Sequence, residues 1–112
     1  MRFLFSLFVS FFTVYTLTIR SSFAQEIDLD AGAQIFSDNC AACHIGGNNS
    51  VNPTKTLKLE VLHEFSRDSF DAIKYQVSNG GGGMPAFGDK FSEEEICNVA
   101  SFVLDTAKNN SW

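Results

Sequence analysis

Apolar and polar positions fall into two regimes along this chain. From Phe3 to Ile19 the sequence is apolar apart from scattered Ser, Thr and Tyr. From Asp28 onward apolar residues recur at the spacing of helices instead. Asp28 is placed to cap a first helix whose apolar positions are Leu29, Gly32, Ile35 and Phe36. Residues 45–56 read as a loop, because Gly46-Gly47-Asn48-Asn49-Ser50 and Asn52-Pro53 are turn chemistry. A short helix over 57–65 would turn Leu57, Val61, Leu62 and Phe65 inward. Ser66 is then placed to cap the next helix, with Phe65 and Phe70 as a hydrophobic staple. Phe70, Ile73 and Val77 form its inner stripe, and Asn79-Gly80 stop it. The last helix is announced by Ser92-Glu93-Glu94-Glu95, a capping box with Phe91 and Ile96 as staple, in which the acids suit the helix dipole. Ile96, Val99, Ala100, Val103 and Ala107 share one face, with Phe102 at its edge. Asn109 to Trp112 read as a tail. With no strand pattern and no repeat, the expectation is an all-α fold of four to five short helices.

The apolar start changes the domain count. Arg2 precedes it, and Ser22-Phe23-Ala24 puts small residues where a signal peptidase cuts, so residues 1–24 read as a cleaved signal peptide. Residues 25–112 then form one small domain with a marginal core. Without Arg2 and Arg20 six Lys and Arg face thirteen Asp and Glu, a formal −7. That balance excludes nucleic acid as a partner and favours a partner with a basic patch, through an attraction that weakens in salt.

The chemistry sits in Cys40-Ala41-Ala42-Cys43-His44. C-x-x-C-H is the attachment signature of c-type haem. Two intervening residues put both sulfurs on one side of a helical turn, where they can form thioethers with the two vinyl groups. The histidine that follows can bind the iron through a neutral nitrogen. A dithiol redox pair would sit in a βαβ pattern, which is missing, and a zinc site needs four ligands. Besides Met1 the chain has one methionine, Met84, in Gly80-Gly81-Gly82-Gly83-Met84-Pro85. Glycines let a backbone pass a flat ring and proline fixes the exit, so Met84 reads as the second iron ligand. Pro53 reads either as a turn proline or as a carbonyl that orients the His44 ring from behind. His63 falls off its helix stripe and reads as a solvated residue. Tyr75 and Gln76 lie close enough to the glycine run to reach the pocket. Cys97 has no partner within the chain; it reads as a small helix residue, with intermolecular pairing as the alternative.

These stretches resemble the class I c-type cytochromes, and within them the cytochrome c6 family of soluble photosynthetic carriers. The similarity rests on GAQIFSDNCAACHIGGNNSV, NPTKTL, YQVSNG, GMPAFGDKFSEEEI and NVASFVLD. It implies the class I cytochrome c fold around one haem c, covalently held by Cys40 and Cys43, with His44 and Met84 as axial ligands. It implies that the Pro53 carbonyl holds His44, that Lys55 with Asn48 and Asn49 lies near the haem propionates, and that Gln76 influences the potential. Gly32 and Phe36 would pack on Phe102, where the family usually has Tyr. Lys90 stands where the family commonly has a docking Arg; it keeps the charge but not the bidentate geometry.

The implied activity is one-electron transfer, not enzymatic turnover, from cytochrome f of the b6f complex to photosystem I. The implied place is the thylakoid lumen of a plastid, or its cyanobacterial counterpart. A respiratory carrier feeding a terminal oxidase is the first alternative, and a haem sensor or peroxidase the second.

Overall fold

The computed structural model describes residues 26–112; the expected signal peptide, 1–24, lies outside them. Five α-helices follow in order: α1 (Leu29–Asn39), α2 (Ala41–His44), α3 (Leu59–Glu64), α4 (Phe70–Asn79) and α5 (Glu93–Lys108), with a 3-10 turn at Ile45–Gly47. Among the described residues the only β-pairing is an isolated bridge between Gly81 and Met84. The all-α expectation holds.

The two long helices form the frame, and their caps are those the sequence announces. Asp28 accepts from the Ala31 N–H. Ser92 and Glu95 form the reciprocal capping box that starts α5. Ile96, Val99, Ala100, Val103 and Ala107 are all buried. Together with Phe36, Leu62, Ile73, Val77 and Phe87 they make one core. α1 crosses α5 at Gly32, where a Cβ would lie 2.2 Å from the Asn98 carbonyl oxygen and 2.9 Å from the Phe102 Cβ. Phe36 packs on Phe102 with ring centroids 5.4 Å apart. Asn98 is buried, and its side-chain carbonyl accepts from the Asp28 N–H at 3.0 Å, so this polar group is satisfied and ties the start of α1 to α5.

Three expectations change. The middle helix is shorter than 57–65, and Phe65 is exposed rather than inward. Ser66 does not cap α4; that role falls to Ser69, whose hydroxyl accepts from the Ala72 N–H. Ser66 instead ends α3 with φ +55°. Its N–H donates to the His63 carbonyl, and the Arg67 N–H to the Leu62 carbonyl at 2.7 Å. That pair of bonds is a Schellman motif, whose left-handed position is usually glycine. Replacing Ser66 by Gly should therefore raise stability by about 0.5–1 kcal/mol, net of glycine's larger unfolded-state entropy. Thermal unfolding checks this: the melting temperature should rise by a few degrees, and a fall would contradict the assignment.

The third change is the C-terminus, which is not a free tail. Trp112 donates its indole N–H to the Leu57 carbonyl at 3.1 Å. Its ring occupies the space where a Cβ on Gly47 would lie, 2.5 Å away. It also packs against Phe36 with centroids 5.4 Å apart. The Leu57 N–H donates to the Gly47 carbonyl at 2.7 Å. The last residue thus clamps both ends of the loop that follows His44.

Candidate functional site

The end of α1 delivers the thiols. The Cys40 N–H continues the helical bonding to the Phe36 carbonyl, and the Cys43 and His44 N–H groups both return to the Cys40 carbonyl. Cys40 is partly buried, Cys43 exposed, and neither is in a disulfide. Burial pushes the Cys40 thiol up to about 11, opposed more weakly by the Lys90 charge. Among the described residues no three His, Cys, Asp or Glu side chains gather in a way that could hold a metal ion.

His44 Nδ1 lies 2.9 Å from the Asn48 carbonyl oxygen. The family resemblance implies the Pro53 carbonyl for this role; in this structure the chain after the 3-10 turn brings the Asn48 carbonyl to the ring, four residues on. The chemical consequence is unchanged. A ring nitrogen tied to a carbonyl leaves Nε2 as the free donor. Pro53 is exposed. Asn49 organises the same loop, since its amide donates to the Lys55 carbonyl at 2.9 Å and its side-chain oxygen accepts from Val51 and Asn52. The Lys55 ammonium lies over the Phe65 ring, 5.0 Å from its centroid.

Met84 is placed by the end of α4. A helix leaves its last carbonyls without partners. Those of Gln76, Val77 and Ser78 accept from the N–H groups of Gly80, Phe87 and Gly88. The loop between is therefore pinned on both sides. Within it Gly81 and Met84 exchange hydrogen bonds at 2.9 and 3.1 Å. The central Gly82 and Gly83 have φ +61° and +94°, the positive pair a tight type I′ turn demands. The Gln76 amide nitrogen donates to the Gly80 carbonyl at 3.1 Å and lies 3.9 Å from the Met84 sulfur.

The structure brings the segment after His44 and the Met84 turn together. A Cβ on Gly83 would lie 2.9 Å from the Val51 side chain. Val51 follows Ser50, whose N–H is held by the Cys43 carbonyl at 3.0 Å. On the other side Lys90 donates to the Asn39 side-chain oxygen at 3.3 Å, next to Cys40. Ile45, Val51 and Tyr75, each next in sequence to or touching a residue of this site, are 73%, 59% and 66% exposed. Two unpaired thiols three residues apart, an imidazole with one nitrogen occupied, a thioether held by a pinned loop and uncovered apolar side chains fit a haem. His63 takes no part. It is exposed, 2.7 Å from Asp68, and its hydrogen bond holds the Asp68 carboxyl below its ordinary range.

Comparison with known proteins gives the same answer. The family model described as Cytochrome C oxidase, cbb3-type, subunit III matches residues 27–103, so the chain carries that family's domain. Cytochrome c6 of Gracilaria tenuistipitata var. liui is 48% identical over 109 residues, covering 97% of this chain and 98% of its own. The chain belongs to the cytochrome c6 family. The chloroplastic cytochrome c6 of Chlamydomonas reinhardtii is 48% identical, over 86% of this chain and 66% of its own. The solved cytochrome c6 of the diatom Phaeodactylum tricornutum superposes with a TM-score of 0.73 at 47% identity, over 76% of this chain and 99% of its own. The cofactor is haem c, the fold is that of class I cytochromes c, and the protein is an electron carrier.

Arg67 was not legible as a site residue. It lies nine positions before Gln76, in the connection between α3 and α4, and no local pattern links the two. In the structure its Nε donates to the Gln76 side-chain oxygen at 3.3 Å.

Proposed function

We propose that this carrier takes single electrons from cytochrome f of the b6f complex to photosystem I in a thylakoid lumen. The observation that carries the reading is Met84, fixed by its pinned turn beside the loop that follows Cys43 and His44. Cys40 and Cys43 would hold haem c covalently, and His44 and Met84 would be its axial ligands. Bound there, the haem supplies a one-electron couple, which His/Met ligation places at a high potential. The chain's own part is to hold both ligands through the electron's arrival and departure, so that little reorganisation accompanies transfer. Asn48 fixes the His44 ring, Gln76 and the turn fix Met84, and the Trp112 clamp stiffens the loop between. Carrier activity, rather than turnover of a substrate, is the reading that membership of the cytochrome c6 family supports. Residues 1–24 would direct export and be removed.

Docking would use the apolar rim around Val51, Pro85 and Ala86, with Lys90 at its edge. The Lys90 ammonium rests 5.6 and 5.5 Å from the Phe87 and Phe91 ring centroids, a held charge rather than a free one. Lys55 and Pro53 would flank the haem. The match to an oxidase-subunit family favours one second reading, delivery to a terminal oxidase. Flash-induced electron transfer decides between them. The reduced protein should re-reduce photosystem I rapidly, at a rate that falls as salt shortens the screening length from about 30 Å to about 8 Å. Transfer to an oxidase but not to photosystem I would overturn the proposal.

A further inference from the structure

Gln76 has an amide with two ends, and the structure gives each end a partner. The nitrogen faces the Gly80 carbonyl and the Met84 sulfur. The oxygen accepts from Arg67 Nε at 3.3 Å. The opposite orientation of the amide would set an acceptor oxygen against the Gly80 carbonyl and the sulfur, and its nitrogen against the guanidinium, donor facing donor. Arg67 is itself anchored. Its backbone N–H closes the Schellman turn on Leu62, and its Nη1 reaches the Phe65 and Ser66 carbonyls at 3.5 and 3.4 Å. Exposed as Arg67 is, its guanidinium is thus aimed at Gln76 by the end of α3.

We propose that Arg67 is a positioning residue for the Met84 ligand: it locks the Gln76 amide with its N–H towards the Met84 sulfur and so raises the reduction potential. The inference rests on Met84 being an iron ligand. An N–H directed at the sulfur draws electron density from it, and a weaker sulfur donor stabilises ferric iron less than ferrous. A cation hydrogen-bonded to the amide oxygen polarises the amide and strengthens that donor. Both effects act in the same direction.

The test measures the midpoint potential of the holoprotein in Arg67→Ala, Gln76→Val and the double variant. Arg67→Ala alone should shift the ferric/ferrous equilibrium about threefold towards ferric, a fall of about 28 mV at 59 mV per decade for one electron. In the Gln76→Val background the same change should shift it far less, because the route runs through the amide. Arg67→Lys, which keeps the charge but not the fork, should recover only part of the shift. No shift in Arg67→Ala, or an equal shift with and without Gln76, overturns the proposal; the second outcome makes Arg67 a through-space charge. The far-red sulfur-to-iron band, recorded on the same samples, separates this failure from failure of the Met84 assignment. If the band is absent in the unaltered protein, Met84 is not the ligand; if it is present and the potential does not respond, Arg67 alone is misassigned.

Discussion

Replacing Met84 by Ala should abolish the far-red sulfur-to-iron band and lower the reduction potential by on the order of hundreds of millivolts, within the ~0.8 V that axial ligation spans. The size follows from the absence of a substitute. Met84 is the only methionine besides Met1, and no second His lies at the turn, since His63 is exposed and engaged with Asp68. The pinning bonds from Phe87 and Gly88 to the end of α4 involve only backbone, so the fold should survive and only the sixth ligand should be lost. The reduced variant should then bind carbon monoxide. Redox titration and a carbon monoxide difference spectrum check this. A variant that keeps both its potential and its far-red band would show that the thioether is not a ligand.

The second large effect is on stability. Gly32→Ala should destabilise the protein by about 2–3 kcal/mol, although alanine favours a helix by about 1 kcal/mol over glycine. Packing outweighs propensity here because of what the new Cβ meets. Its neighbours would be the Asn98 backbone oxygen at 2.2 Å, the Asn98 carbonyl carbon at 2.7 Å and the Phe102 Cβ at 2.9 Å. None is the tip of a flexible side chain, so relief requires α1 to lift off α5. That lift loosens Phe36 from Phe102 and strains the Asp28 to Asn98 bond. The cost belongs at the upper end of overpacking. For a domain of this size the melting temperature should fall by roughly 10–20 °C. Thermal unfolding followed by circular dichroism reads it directly, and an unchanged or higher midpoint would show that the crossing is not tight.

The ends of α1 and α5 were legible because their signals are local: a cap residue, a box and a 3.6-residue stripe. The middle of the chain was less so for a local reason. Ser66 and Ser69 are equally good caps by composition, and the choice depends on where α3 unwinds. The exposure of Phe65 follows from the same early stop. Trp112 misled because a terminal tryptophan has no periodicity; its place is set by Gly47 and Leu57, far away in sequence. At the site, residue types and spacings pointed to Cys40, Cys43, His44 and Met84 as candidate haem contacts, since each is demanded by haem chemistry. The partners that aim them were not. Asn48 rather than Pro53 stands behind His44, and Arg67 stands behind Gln76, because such contacts depend on how turns close.

The most direct test is the absorption spectrum of the haem-loaded protein in both oxidation states, followed by carbon monoxide. The account predicts a c-type spectrum, a weak far-red sulfur-to-iron band in the ferric form, and no carbon monoxide binding by the ferrous form. A spectrum without that band and with ready carbon monoxide binding would mean an open iron, and would replace the electron carrier built on His44 and Met84 by a ligand-binding haem protein.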